Sequence, residues 1–193
     1  SYGKSKVIAM LIDCHVHIGK DRKYGFALKP EDFIEKMSSN FIDYAVIFPC
    51  PWSENDSYTD ENDYVIKASL KYEKLIPVLF VNPFSKKSVN SAKAHLEKGR
   101  GKGIKLHPLA GEYKPKDILK TDILKIAEDN DVPLIIHSGY QREYEEILEL
   151  SERCSSPIIV SHAFRFKRKP VEESAKQKNV YLDISPFLTL LNS

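Results

Sequence analysis

The stretch DCHVHIG, Asp13 to Gly19, decides the fold and places two histidines, His15 and His17, at the end of a short apolar run. Alternate side chains of a β-strand share a face, so both imidazoles point one way while Cys14 and Val16 point the other. Two neutral imidazoles on one side of a rigid strand form half a chelate for a divalent transition metal. Because the motif is only three residues long, a coincidental pair of histidines explains it equally well when it is taken alone.

Three further histidines stand in the same local setting, each just past an apolar run. They are His107 in GIKLHP, His137 in PLIIHSG and His162 in PIIVSHA, whereas His95 lies in a helical pattern. Histidines at the carboxyl ends of successive strands meet in space if the strands are parallel and close into a barrel. This repeated placement favours a metal site over coincidence.

Apolar strands alternate with helical patterns along the whole chain, which indicates a parallel sheet covered by helices. A flavodoxin-like open sheet is the alternative, but it gathers ligands at one switch point and not at strands one, four, five and six. The histidines therefore favour a barrel. The seven predicted strands are Met10–Val16, Tyr44–Phe48, Leu75–Val81, Gly103–His107, Val132–His137, Pro157–Ser161 and Val180–Ile184.

The order of these motifs resembles the amidohydrolase superfamily of metal-dependent hydrolases, and within it the branch that also includes metal-dependent decarboxylases. The similarity runs from about Met10 to the end of the chain. It implies a TIM-like (β/α)8 barrel, with a divalent metal, zinc foremost, bound by His15, His17 and His137. One ion is favoured, although a carboxylated Lys105 bridging two ions stays open.

The resemblance also implies roles for the other two strand-end histidines. His162 would bind a second metal or act as an acid or base, and His107 would contact the substrate or stabilise a developing oxyanion. Each has a structural alternative, a histidine that is simply hydrogen-bonded where a strand ends. Metal-assisted hydrolysis of a small amide, ester or lactone is the leading prediction, with non-oxidative decarboxylation and a non-catalytic metal-binding protein as alternatives.

The eighth strand of such a barrel is missing from the predicted elements, and so is its last helix. In the superfamily that strand ends with a metal-binding aspartate. Asp183 is not assigned to this role, because YLDIS places it within strand seven. We therefore expect a barrel domain over residues 10–193 that is a fragment of a longer chain, preceded by a leader or tag at residues 1–9.

Composition narrows the classes of partner. The 193 residues are 42% hydrophobic, and 29 basic against 27 acidic residues leave a net charge of +2. We therefore expect a core of one domain and a small-molecule substrate, with no broad field for nucleic acid or membrane. Three cysteines without framework spacing suit a cytoplasmic enzyme, and the sequence is compatible with a homo-oligomer.

The surroundings of the site are predicted from strand register and strand ends. The register of the first strand predicts that Cys14 is buried between the barrel and its helices. Trp52 and Tyr140 follow strand ends and are candidate walls of an apolar pocket. The run RFKRK, 165–169, is a candidate anion-binding loop, although a solvated loop is the more common outcome. Phe164 stands where relatives often have glycine and would narrow the pocket.

Overall fold

Seven parallel strands in chain order form the framework of the protein. A computed structural model describes residues 10–52, 57–163 and 172–185. The strands are β1 Ile12–Lys20, β2 Ala27–Leu28, β3 Tyr44–Pro49, β4 Leu75–Pro77, β5 Leu79–Phe80, β6 Ile104–Leu106, β7 Leu134–Ile136, β8 Ile158–Val160 and β9 Val180–Leu182. The helices are α1 Pro30–Ser39, α2 Thr59–Lys71, α3 Lys86–Leu96, a 3-10 helix Pro115–Lys120, α4 Ile123–Asp129 and α5 Gln141–Ser151.

Each strand of the barrel pairs in parallel with the strand that follows it, which confirms the predicted TIM-like topology. β4 and β5 are two parts of one strand interrupted at Val78, and the short β2 pairs with β1 in antiparallel fashion. The sequential order contains no switch point, so the open flavodoxin-like sheet is excluded. None of the described helices is long and apolar enough to cross a membrane.

The first and last described barrel strands, β1 and β9, do not pair with each other. This is the opening expected between strands one and seven. Tyr181 on β9 faces the barrel interior, because it is in register with Ile159 of β8, yet it is 55% exposed. Within the described residues the barrel is therefore open between β9 and β1, and β2 covers the edge of β1 only at Gly19 and Lys20.

Two apolar layers stabilise the described strands. Outward-facing residues such as Leu79, Leu106 and Ile136 pack against the helices in one large buried cluster. Inward-facing residues form a smaller cluster that includes Phe48 and Ile135. The interior above this small cluster is polar, and that is where the strand-end histidines lie.

The prediction that Cys14 is buried is wrong, because the thiol is exposed. The pairing of β1 with β3 shifts its register between Asp13 and Val16, so Cys14 lies at an irregularity of the strand. Val16 and Ile18, beyond this point, alternate regularly and are buried against α1, whereas Ile12 before it is exposed. The prediction assumed an unbroken period of two, which holds only from Val16 onward.

The sequence from Asp117 to Asp129 predicts a single helix, and the structure has two elements there, the 3-10 helix and α4. The backbone of Thr121 is extended at the break. Its hydroxyl donates to the Ile118 carbonyl at 2.8 Å and accepts from the Ile123 amide at 3.4 Å. These bonds satisfy backbone groups that an uninterrupted helix would have paired. The predicted helix 170–177 lies only partly within the described residues.

Helix α2 is fastened to the barrel by a fully buried asparagine, Asn62. Its Nδ2 donates to the Phe80 carbonyl at 2.9 Å, and its Oδ1 accepts from the Phe80 amide at 2.8 Å. The side chain thus replaces a neighbouring strand for one residue of β5. Because buried backbone groups require partners, this side chain satisfies both the amide and the carbonyl of Phe80.

We expect Asn62→Leu to lower the free energy of unfolding by about 1–3 kcal/mol for each backbone group of Phe80 left unpaired. Leucine matches asparagine in size but has no donor or acceptor. Urea denaturation followed by circular dichroism measures the change. Asn90→Leu, at an exposed site of α3, is the matched control, and equal stability of the two variants would contradict the assignment.

Candidate active site

Five of the six histidines gather at the carboxyl ends of the barrel strands. Their rings form a chain of neighbours from strand one to strand four. The ring centroids are separated by 5.3 Å for His15 and His17, 5.0 Å for His15 and His162, 4.9 Å for His162 and His137, and 3.8 Å for His137 and His107. The prediction that these five residues lie together is therefore met, whereas His95 is on α3.

The pleat of β1 brings its two histidines inward together. His17 is in register with Phe48 on β3, and both rings of the HxH motif meet the Phe48 ring edge to face, at 4.8 Å for His15 and 4.5 Å for His17. Phe48 is completely buried and belongs to the small inner cluster. The pair of imidazoles therefore rests on a rigid apolar floor.

The hydrogen-bond partners determine which ring nitrogen carries the proton in two of these histidines. His17 Nδ1 contacts the Pro49 carbonyl at 2.7 Å, and His162 Nδ1 contacts the Ser185 carbonyl. A carbonyl oxygen can only accept, so both rings hold their proton on Nδ1 and keep a lone pair on Nε2. Metal-binding histidines in proteins are typically oriented in this way.

In His15 the partner of Nδ1 is a carboxylate and not a backbone carbonyl. Its Nδ1 contacts Oδ2 of Asp183, and the two side chains are only 7% and 10% exposed. An ionised carboxylate accepts, so His15 also carries its proton on Nδ1. Burial alone would raise the pKa of the Asp183 carboxyl, but the contact with His15 and the Ser185 amide lower it to about 2.

His107 is the exception among the strand-end histidines. Its Nδ1 accepts from the Ala110 amide at 3.1 Å, so its proton lies on Nε2. The ring is buried and stacks on His137 with an angle of 9° between the planes. His107 therefore presents a hydrogen-bond donor where the others present a lone pair.

Four of these imidazoles have a pKa below the usual value, which keeps them uncharged at neutral pH. Burial and the nearby Lys105 lower the pKa of His15 to about 4 and that of His137 to about 2. Burial likewise holds the pKa of His17 and His107 well below the usual value. Neutral imidazoles retain the lone pairs that metal binding and proton abstraction require.

His162 has a backbone conformation that few residues adopt. Its φ is +63°, in the left-handed region, directly after β8 ends at Val160. This conformation costs a non-glycine residue about 1–2 kcal/mol, and histidine tolerates it better than most. The turn brings the imidazole between those of His15 and His137, so the strained backbone sets the position of the ring.

Lys105 is a completely buried amine beneath the histidines. Its Nζ donates to Ser161 Oγ at 2.9 Å and lies 4.9 Å from the centre of the Phe48 ring. Burial lowers the pKa of this amine to about 7, and Asp183 is the charge that opposes the shift. In register, Lys105 pairs with inward-facing Ile135, and it lies two residues before His107 on the same face.

Asp183 is the site residue that the sequence analysis excluded. β9 ends at Leu182, so Asp183 follows the strand instead of lying within it. It shares the inward face with Tyr181, because alternate residues do so. Strand parity would therefore have found it, whereas comparison with the strand-eight aspartate of the superfamily directed attention elsewhere.

Trp52 and Tyr140 are the two residues predicted to wall an apolar pocket, and Trp52 lies beside the histidine cluster. Trp52 lies 5.4 Å from the His107 ring and 5.1 Å from Tyr24, and Lys23 Nζ lies 4.3 Å above its indole. Tyr140 is 65% exposed and caps the start of α5, and its role as a pocket wall stays a prediction. RFKRK, 165–169, and Phe164 lie outside the described residues.

A separate cavity of about 410 Å³ lies outside the histidine cluster, beside β1 and the start of α2. None of the five strand-end histidines lines it. Its lining residues are Ile18, Gly19, Lys20, Arg22, Ala27, Leu28, Lys29, Cys50, Asp60, Glu61 and Tyr64.

The cluster has the donor chemistry of a metal site without its finished geometry. Within residues 10–52, 57–163 and 172–185 no three His, Cys, Asp or Glu side chains are placed so that they could hold a metal ion together. The chemistry of His15 and His17 fits a metal ion, because both rings are neutral and both bind a partner through Nδ1, which leaves Nε2 to coordinate. The assignment of His15, His17 and His137 as ligands stays a prediction.

Comparison with known proteins agrees with this architecture. A family model described as Amidohydrolase matches residues 12–190. The chain belongs to the amidohydrolase family. No curated protein sequence matches the chain.

Solved structures of amidohydrolase-like barrels share the fold. An uncharacterized TIM-barrel protein from Bordetella bronchiseptica has a TM-score of 0.71 at 17% identity, over 93% of this chain and 76% of its own. A structure called amidohydrolase II has a TM-score of 0.69 at 13% identity, over 90% and 78%. Metarhizium anisopliae IDCase in apo form has a TM-score of 0.60 at 12% identity, over 90% and 77%. At these identities the likeness concerns the fold alone.

We expect Lys105→Met to raise the free energy of unfolding of metal-free protein at pH 7 by about 1–4 kcal/mol, because a buried cation without a carboxylate in contact is replaced by an apolar chain. The folded pKa of about 7 lies below the ordinary 10.5. The unfolded chain therefore binds more protons between these values, and the cost of Lys105 falls as the pH rises.

Urea denaturation at pH 7, 8.5 and 10 measures this difference. The gain in stability from Lys105→Met should be largest at pH 7 and shrink toward pH 10. Lys125→Met removes an exposed amine that pairs with Asp129 and serves as the control. A constant difference between wild type and Lys105→Met, or a destabilised variant, would contradict the expected proton linkage.

Proposed function

We propose that this protein is a metal-dependent hydrolase that acts on a small amide, ester or lactone. The observation that carries the proposal is the shared tautomer of His15 and His17, whose Nδ1 atoms contact Asp183 and the Pro49 carbonyl and whose Nε2 atoms therefore carry the lone pairs. Such uniform orientation by outer partners is what metal binding requires of imidazoles. A set of unrelated core histidines has no reason to adopt it.

The proposed ligands are His15, His17 and His137, with one zinc ion favoured. A bound zinc ion would supply a Lewis acid for the substrate carbonyl and lower the pKa of its water to about 7. His137 is flanked by His162 and His107, with ring centroids 4.9 Å and 3.8 Å away. A second ion, with His162 among its ligands, is the alternative that metal counting addresses.

The two remaining histidines are proposed for different steps. The Nε2 of His162 has a lone pair, so it can accept a proton from the attacking water. The Nε2 of His107 has a hydrogen, so it can donate to the oxygen that becomes negative in the transition state. The tautomers support this division, because neither ring could do the work of the other without exchanging its partner.

The residues beside the histidine cluster and the net charge of the chain favour a small-molecule substrate. Trp52 stands beside His107 at the edge of the site and gives an apolar contact for a substrate. The net charge of +2 offers no broad field for nucleic acid or membrane. A cytoplasmic location, a homo-oligomeric state and the division into residues 1–9 and 10–193 stay predictions.

Decarboxylation of a small acid is the second candidate. The buried amine of Lys105 favours it, because a cation surrounded by neutral imidazoles attracts a carboxylate. An assay that records both hydrolysis and released CO2 on the same panel of esters, lactones, amides and aromatic acids separates the two reactions. Hydrolysis without CO2 supports the proposal.

We expect protein purified without chelator to contain about one zinc ion per chain, and expect removal of this ion to abolish hydrolysis. Elemental analysis and the hydrolysis panel measure both quantities before and after zinc is restored. His17→Ala should lose the ion. His95→Ala removes a histidine that pairs with Asp63 on the outer helices and should keep the ion. A zinc-loaded but inactive wild-type protein would support the non-catalytic metal-binding alternative, and a metal-free, inactive one would contradict the proposal.

We expect His107→Phe to lower kcat about 10²- to 10³-fold with little change in KM, since one donor to the transition state is lost. Phenylalanine preserves the ring that stacks on His137. Steady-state kinetics on the best substrate of the panel give both constants. Tyr24→Phe changes the same edge of the site, next to Trp52, and is the control. An unchanged kcat would assign His107 to packing alone.

A further inference from the structure

We propose that the turn Asp183–Ser185, which follows β9, positions two histidines of the site, so that Asp183 orients His15 and Ser185 orients His162. The inference rests on the proposed function, since it assigns these contacts to metal binding and proton transfer. Neither residue contacts the reacting atoms in this scheme. Both act through the Nδ1 atoms of the imidazoles, and both are therefore positioning residues.

The carboxylate of Asp183 is held on both oxygens. Oδ1 accepts from the Ser185 amide at 2.8 Å, and Oδ2 accepts from the Ser185 hydroxyl at 2.9 Å while it also meets His15 Nδ1. Hydrogen bonds within the turn therefore hold the carboxylate in place, independently of its contact with His15. Nδ1 of a ring bound to such a carboxylate keeps its proton, which leaves Nε2 for a ligand.

The carbonyl group of the same turn fixes His162. Ser185 O accepts from His162 Nδ1, and the backbone around His162 is tied to the turn as well, because the Ala163 amide donates to the Asp183 carbonyl at 2.8 Å. The Asp183 amide in turn donates to the Val160 carbonyl at 2.9 Å. Hydrogen bonds to this turn therefore hold the His162 ring and the backbone on both sides of it, and so stabilise its left-handed conformation.

These contacts couple the two rings, whose centroids are 5.0 Å apart. A purely structural ion pair between Asp183 and His15 would need no fixed tautomer, since a protonated ring would serve equally well. His162 would then need no carbonyl from the same turn. The combination indicates a turn that selects one tautomer for two rings.

The first measurement is on wild-type protein without metal, by two-bond ¹H–¹⁵N correlation spectra of the histidine rings, whose shifts report the tautomer. Between pH 6.5 and 8 we expect His15 and His162 with the proton on Nδ1 and His107 with the proton on Nε2. This result supports the proposal. Mixed or Nε2-protonated His15 and His162 would overturn it, whatever the chain binds.

The second measurement compares Asp183→Asn with wild type. Asparagine keeps the shape but not the charge, so we expect a mixed His15 tautomer and a 10- to 100-fold weaker affinity for Zn²⁺ in calorimetric titration. Ser185→Ala keeps the carbonyl and should change affinity less. Asp129→Asn, on the exposed end of α4, is the matched control, and thermal melting confirms that each variant is folded.

The outcomes separate the inference from the proposed function. If wild type binds Zn²⁺ and Asp183→Asn binds it with equal affinity and an unchanged His15 tautomer, the positioning role is overturned. The proposed metal site is not affected by that result. Wild type that binds no Zn²⁺ overturns the proposed function, and the turn then has no metal site to support. Loss of both affinity and tautomer in Asp183→Asn alone supports the inference.

Discussion

The alternation of side chains along parallel strands is the constraint on which this site depends. It turns His15 and His17 inward with Phe48, and it puts Lys105 in register with Ile135 on the same face. The outward positions between them are aliphatic and join the helices in the large buried cluster. β1 shifts its register against β3 between Asp13 and Val16, and from Val16 onward the alternation holds, with Val16 and Ile18 packed outward and His17 inward beside Phe48.

Burial of so many polar rings requires a partner for each hydrogen they carry. Backbone carbonyls of Pro49 and Ser185 and the carboxylate of Asp183 provide three of these partners at the ends of strands, where backbone groups leave the ladder. Burial lowers the pKa of His15 and His17 and keeps both rings neutral, while these contacts give each buried ring hydrogen a partner. Stability and chemistry thus make the same demand on these rings, since a satisfied neutral histidine is also a histidine with a lone pair to offer.

Much of the barrel could be predicted from the sequence, because apolar runs that end in histidine report strand direction and strand end together. The break at Thr121 and the exposed Cys14 could not, since one depends on local hydroxyl bonds and the other on what covers a strand. Tautomers also escape prediction, because they follow from partners such as the Ala110 amide that are close only after folding. Strand parity alone could have identified Asp183 as an inward-facing residue, but the assumed length of the last strand and the comparison with the strand-eight aspartate led away from it.

The support of the site continues outward to the helices. Asn62 on α2 holds both backbone groups of Phe80, and the Phe80 ring lies nearly parallel to that of His107 at 6.2 Å. His107 in turn stacks on His137, the proposed ligand from the neighbouring strand. A helix on the outer layer is therefore connected to the imidazoles through a single aromatic residue. Because packed interiors transmit displacements between residues in contact, a shift of α2 would displace His107, the proposed oxyanion donor, through Phe80. The HxH pair would be less affected, since it packs on Phe48.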